Sequence, residues 1–91
     1  MFVYVTFFEG ARKAPPRLSC GRYCPHFVVK GDGEYLGVRF TEGTECVFGS
    51  EAYAAVLPMY EGVGYHKLKP GVSFLIMEGG SAVGEGIVDS V

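Results

Sequence analysis

Helical signals are scarce in this sequence. No window keeps apolar residues at i, i+3, i+4 and i+7 between plausible caps, and glycine or proline interrupts nearly every stretch. Long hydrophobic runs are missing as well. The apolar start, Met1 to Phe8, has no basic segment before it and is ended by Glu9-Gly10, too soon for a signal peptide or a membrane span. Cysteine is limited to Cys20, Cys24 and Cys46, an odd number without framework spacing, which argues against a disulfide-stapled fold and for a reducing compartment. A soluble, cytoplasmic protein is therefore expected, with no membrane or DNA partner.

What the sequence does contain is strand-forming. Nearly half of the 91 residues are apolar, which excludes a disordered chain, and the length leaves room for a single domain spanning 1–91. A domain of this size buries roughly 60–65% of its unfolded surface, so one modest core is feasible without disulfides or metal. The 14 glycines are spread along the chain and read as turns.

Strands are expected over 2–8, 26–30, 34–40, 46–48, 52–60, 72–78 and 82–90. Some of these pieces are short, and the whole amounts to about six strands. Gly31-Asp32-Gly33 predicts a hairpin turn between the second and third, Thr41–Thr44 another turn, and Gly79-Gly80 a tight one before the last strand. Pro58 suggests an edge or bulge, and Gly84 and Gly86 suggest a crowded, bent strand. An open sheet this apolar on both faces would be insoluble, so closure into a six-stranded antiparallel barrel is expected, capped at one end by the 10–24 loop.

Charge is unevenly placed. Residues 1–40 hold Arg12, Lys13, Arg17, Arg22, Lys30 and Arg39 against three acids, while 41–91 hold Lys67 and Lys69 against seven. Such asymmetry can orient a partner. The basic residues among prolines, Arg12, Lys13, Arg17 and Arg22, with Tyr23, form the best candidate contact loop, for an acidic protein or for nucleic-acid phosphates.

Metal and catalytic readings are weaker. Cys20, Cys24 and His26, with Cys46 and His66 elsewhere, lack the second close ligand pair of a structural zinc site, so no metal and no cofactor are expected. A Cys/His nucleophile pair would have nothing in the sequence to orient its imidazole, and no enzyme activity is expected. Glu42 and Glu45 read as solvated acids.

The C-terminal run Gly71-Val-Ser-Phe-Leu-Ile-Met-Glu-Gly-Gly-Ser-Ala-Val-Gly-Glu-Gly-Ile-Val88 resembles the closing hairpin of the elongation factor Tu family, approximately G-x-R-F-A-I-R-E-G-G-R-T-V-G-A-G-V-V. Glu9 to Pro15 is similar to the family's E-G-G-R-H-T-P loop, and Pro25-His26-Phe27 to its R-P-Q-F. Gly37 and Thr41-Glu42-Gly43 are similar to T-G-T-I-x-L-P-E-G, whereas 48–70 match by pattern alone. The resemblance covers nearly the whole chain but only domain 3, the C-terminal domain, of that factor. No G-x-x-x-x-G-K-[ST] loop accompanies it, so the chain is not a translational GTPase by itself.

The resemblance implies a stand-alone six-stranded barrel related to one that packs on a GTPase domain, contacts an exchange factor and grips the T stem of tRNA. Of the tRNA-gripping positions, Glu78 retains the family's residue. His26 replaces a glutamine, Leu36 a threonine, and Met77 and Ser81 two arginines. The resulting expectation is a non-catalytic module that binds a protein partner, such as one of the translation machinery. The alternatives are tRNA or RNA binding through Glu78 and the basic loop, and a small structural or toxin-neutralising protein. Because Val3, Val5 and Phe7 alternate with Phe2, Tyr4 and Phe8, one aromatic set should lie outside the barrel and serve a protein partner or a homodimer.

Overall fold

The computed structural model describes residues 1–60 and 63–91. Six strands are present: β1 (Phe2–Phe7), β2 (His26–Val29), β3 (Leu36–Gly43), β4 (Glu51–Pro58), β5 (Ser73–Glu78) and β6 (Ser81–Ser90). They close into an antiparallel barrel in the order β1-β4-β3-β2-β5-β6, with β6 returning to β1. In that circle β2 lies opposite β1. The one helical element among the described residues is a 3₁₀ turn, Tyr65–Lys67. No helix among them is long and apolar enough to cross a membrane.

Period-two alternation fills the interior. Val3, Val5 and Phe7 point inward from β1, Leu36, Val38 and Phe40 from β3, Ala52, Ala54 and Val56 from β4, and Phe74 and Ile76 from β5. At the core, the Phe27 ring stacks on Phe74 at 3.9 Å and meets the edge of Phe40 at 5.9 Å. Leu18, from the long loop between β1 and β2, is buried with them, as is Leu68 just after the 3₁₀ turn. The loop thus contributes a core residue as well as covering the barrel.

Turn chemistry sets the register. Gly79-Gly80 joins β5 to β6 with positive φ at Gly79, the first central position, where a type II′ turn places glycine. Between β2 and β3, Gly31 has φ 87°, and the Asp32 carboxylate accepts hydrogen bonds from the amides of Gly33 and Glu34 at 2.7 and 3.0 Å. On the outside of β3, the Tyr60 ring lies over Gly37, where any side chain would collide with it.

Three sequence expectations are corrected. Thr41–Gly43 continues β3 and does not turn, because an irregularity between Phe40 and Glu42 absorbs a residue and lets pairing with β4 resume at Ala55. Cys46-Val47-Phe48 is irregular; Cys46 and Phe48 are half-buried against the core from a loop. Strand β4 ends at Pro58; the Met59 amide still donates to the Gly37 carbonyl at 3.1 Å, but Met59 and Tyr60 lie beyond the paired residues.

Outside the barrel, Lys67 reaches Asp32 at 2.9 Å and Glu34 at 2.8 Å, tying the 3₁₀ turn to the β2–β3 connection. The ammonium, aided by the two turn amides, lowers the Asp32 carboxyl from 3.8 to about 2. A depressed carboxylate stabilises the fold above its unfolded pKa, and that contribution disappears as pH falls from about 4 through about 2. Accordingly, Asp32→Asn should lower the melting temperature slightly at pH 7. The gap between variant and parent should close on acidification to pH 2. Paired thermal melts across pH 2–7 read this directly, and a gap independent of pH would show that the ion pair has no part in it.

Candidate binding surfaces

Two surfaces gather the chemistry-bearing residues. The first lies where the β1–β2 loop crosses the end of β5. The Arg12 guanidinium forms an ion pair with the Glu78 carboxylate and stands 5.2 Å from the centre of the Tyr23 ring. The Tyr23 hydroxyl donates to the same Glu78 oxygen at 2.5 Å. Burial, reinforced by the adjacent carboxylate, pushes the Tyr23 phenol well above its ordinary range. Tyr23 also packs inward, 5.3 Å from the Phe40 ring and 5.9 Å from Phe7.

The sequence therefore placed Arg12, Tyr23 and Glu78 on one candidate surface, and the fold brings all three into contact. They line a cleft of about 370 Å³ together with His26 and Cys24. His26 is half-buried on β2, its ring 5.5 Å from Tyr35. With its carboxylate engaged by both Arg12 and Tyr23, Glu78 is held as a loop anchor. Lys13, Arg17 and Arg22 are exposed and do not line this cleft. Cys20 and Cys24 are exposed thiols, Cys46 is half-buried, and no group of three or more metal-ligating side chains converges among the described residues.

The second surface is the outer wall of β6, β1 and β4. Antiparallel register sets Tyr4 directly between Tyr53 on β4 and Ile87 on β6. One step along, Phe2 faces Ala55. The side chains point outward because their neighbours Val3, Val5, Ala52 and Ala54 point in. Exposure stays high for residues so large: Phe2 44%, Tyr4 39%, Tyr53 36%, Ile87 46% and Leu57 46%.

These rings also contact one another. Phe2 and Tyr53 lie parallel, 4° apart in plane at 5.9 Å, and Tyr4 tilts against Tyr53 at 4.7 Å. The Tyr53 hydroxyl donates to Asp89 at 2.8 Å, and that carboxylate pushes the phenol up.

Of the three outer aromatics expected from sequence, Phe2 and Tyr4 stand on this wall. Phe8 differs: it lies beyond the end of β1, half-buried, with its amide bonded to the Val83 carbonyl at 2.8 Å. Sequence reasoning missed Tyr53, Leu57 and Ile87. A signal for the first two existed in the alternation of Ala52, Ala54 and Val56 with Tyr53, Ala55 and Leu57, which marks a strand with a large-residue outer face. Comparison of the chain with protein-family profiles, with curated proteins and with solved structures gives no match.

Proposed function

We propose that this chain is a non-catalytic protein-binding module, built on a barrel of the elongation factor Tu domain 3 type, that docks its partner on the β6–β1–β4 wall. The observation that carries the proposal is the contiguous set of exposed rings, Phe2, Tyr4 and Tyr53, flanked by Ile87 and Leu57. Exposed apolar patches of this kind favour association because the area they remove from water contributes about 25 cal/mol per Å². Tyrosine and phenylalanine are also enriched at interface cores, and tyrosine among the residues that anchor them. The position of Glu78 favours the wall over the alternative of tRNA binding, since its carboxylate is occupied within the chain by Arg12 and Tyr23.

The test is affinity capture from lysate on the immobilised chain, with and without ribonuclease, alongside the Phe2→Ser/Tyr53→Ser variant. A protein retained after ribonuclease and lost with the variant is the expected result. Recovery of tRNA that disappears on ribonuclease treatment, and depends on Arg17 and Arg22, would replace this reading with the nucleic-acid one. In that case retention should also fall steeply with salt.

A further inference from the structure

The wall's charges point to the chemistry of what covers it. We infer that its partner is a basic polypeptide segment, one that presents arginine or lysine side chains to the aromatic ridge. This rests on the binding-module reading above and adds the class of partner.

Several carboxylates border the ridge. Glu42 on β3 stands beside Ala55, Glu51 faces Thr6, and Asp89 lies at the irregularity of β6 next to Phe2. None of these three takes part in an ion pair among the described residues. The cations near them offset this charge only in part. Among the described residues, Lys30 is paired with Glu85 at 2.5 Å, which leaves Arg39, opposite Leu57, and the Met1 ammonium, which donates to the Val56 carbonyl at 3.3 Å. The surplus is the local form of the acidic bias of residues 41–91, the half of the sequence that supplies β4 and β6.

The ridge also has a groove on each flank. One, of about 310 Å³, is lined by Phe2, Tyr53, Ala55 and the Glu42 side. The other, of about 270 Å³, is lined by Tyr4, Ile87, Glu51 and the Lys30–Glu85 pair, which leaves Glu51 as its unpaired carboxylate among the described residues. Each groove places an aromatic ring and a carboxylate on the same cavity. A guanidinium or ammonium entering it would meet the ring's negative face and a carboxylate together, while its aliphatic stem would cover the exposed apolar surface. A neutral apolar partner would bury Glu42, Glu51 and Asp89 without counter-charges, which is costly. A second copy of this chain would set those acids against their own kind, and nucleic-acid phosphates would be repelled.

The experiment is a selection of phage-displayed random dodecapeptides on the full chain. It is followed by fluorescence-polarisation affinities of the selected peptides for the parent, for Glu42→Gln/Glu51→Gln and for Tyr53→Ser. All three substitutions are on exposed side chains, and thermal melts verify that the variants fold. The expected result is enrichment of peptides carrying arginine or lysine beside apolar residues. Their affinity should weaken about tenfold or more in each variant, and further with added salt.

Neutral peptides that lose affinity in Tyr53→Ser but not in Glu42→Gln/Glu51→Gln would overturn the basic partner and leave the wall intact as a docking face. Peptides indifferent to Tyr53→Ser would overturn both. A dimer of the parent chain in sedimentation, dissociated by Tyr53→Ser, would overturn the inference in favour of self-association.

Discussion

Gly86→Ala is expected to destabilise the barrel by about 3 kcal/mol, at the upper end of what overpacking a core usually costs. A methyl group at this position would be driven against the carbonyl oxygen of Tyr4 and would stand 2.6 Å from the Phe74 Cζ. The first obstacle is backbone of the neighbouring strand and cannot rotate away. The second belongs to the ring stacked on Phe27 at 3.9 Å, so moving it disturbs the centre of the core. Relief requires β6 to separate from β1, beneath Tyr4 and therefore beneath the aromatic wall. Gly84→Ala meets the Thr6 carbonyl at 2.6 Å and should behave alike, whereas Gly80→Ala, with nothing within 4 Å, should be nearly neutral. Urea unfolding of the three variants is the measurement. Equal midpoints for Gly86→Ala and Gly80→Ala would show that the close approach does not constrain the strand.

The crowding at Gly84 and Gly86 was legible in the sequence because glycine within a strand has few explanations, and close approach of another backbone is one of them. So were the Gly79-Gly80 turn and the inward face of β1, which follow from local rules of φ and of period two. The β3 boundary was not legible. Thr41-Glu42-Gly43 has turn-like composition, and only the pairing partner Ala55, fourteen residues after Thr41, makes it strand. Cys46-Val47-Phe48 failed for the opposite reason. Its composition suits a strand, but its backbone has no neighbour in the ladder, and a core contact from a loop satisfies its apolar side chains equally well.

The surfaces divide along the same line. Arg12 and Tyr23 were picked out from loop composition, and Glu78 from family resemblance. Their mutual contact spans 66 residues of sequence between Arg12 and Glu78, and no local pattern encodes it. On the wall, the outward parity of Phe2 and Tyr4 came from alternation within one strand. Tyr53 and Ile87 join them through the register of β1 with β4 and β6, and Glu42 through that of β3 with β4. The inference of a basic partner depends wholly on those long-range pairings, since Glu42 read alone is an ordinary solvated acid.

Phe27→Ala is expected to have the larger effect, about 3–5 kcal/mol, the usual range for removing a buried aromatic ring. A domain of this length has a total stability of roughly 5–14 kcal/mol, so the variant should be marginal or unfolded at room temperature. Phe27 is a link in a continuous aromatic chain. Phe74 stacks on one side of it and Phe40 meets it edge-on; Phe40 then contacts Tyr23, and Tyr23 contacts Phe7. This chain runs from β5 through β2 and β3 to the loop residue held by Glu78 and on to β1. Four-residue β2 pairs along its whole length with β5 but over only two residues with β3, so the ring's contact with Phe40 reinforces the shorter of its two seams. Phe27→Leu keeps most of the volume and should lose less than half as much. Both variants change the inner face of the strand opposite the wall. Phe27→Leu should therefore retain peptide affinity while its unfolding midpoint drops, which separates damage to the core from damage to the docking face. Loss of peptide binding by a folded Phe27→Leu chain would mean that the wall's geometry depends on the core across the barrel, and that the two cannot be varied independently.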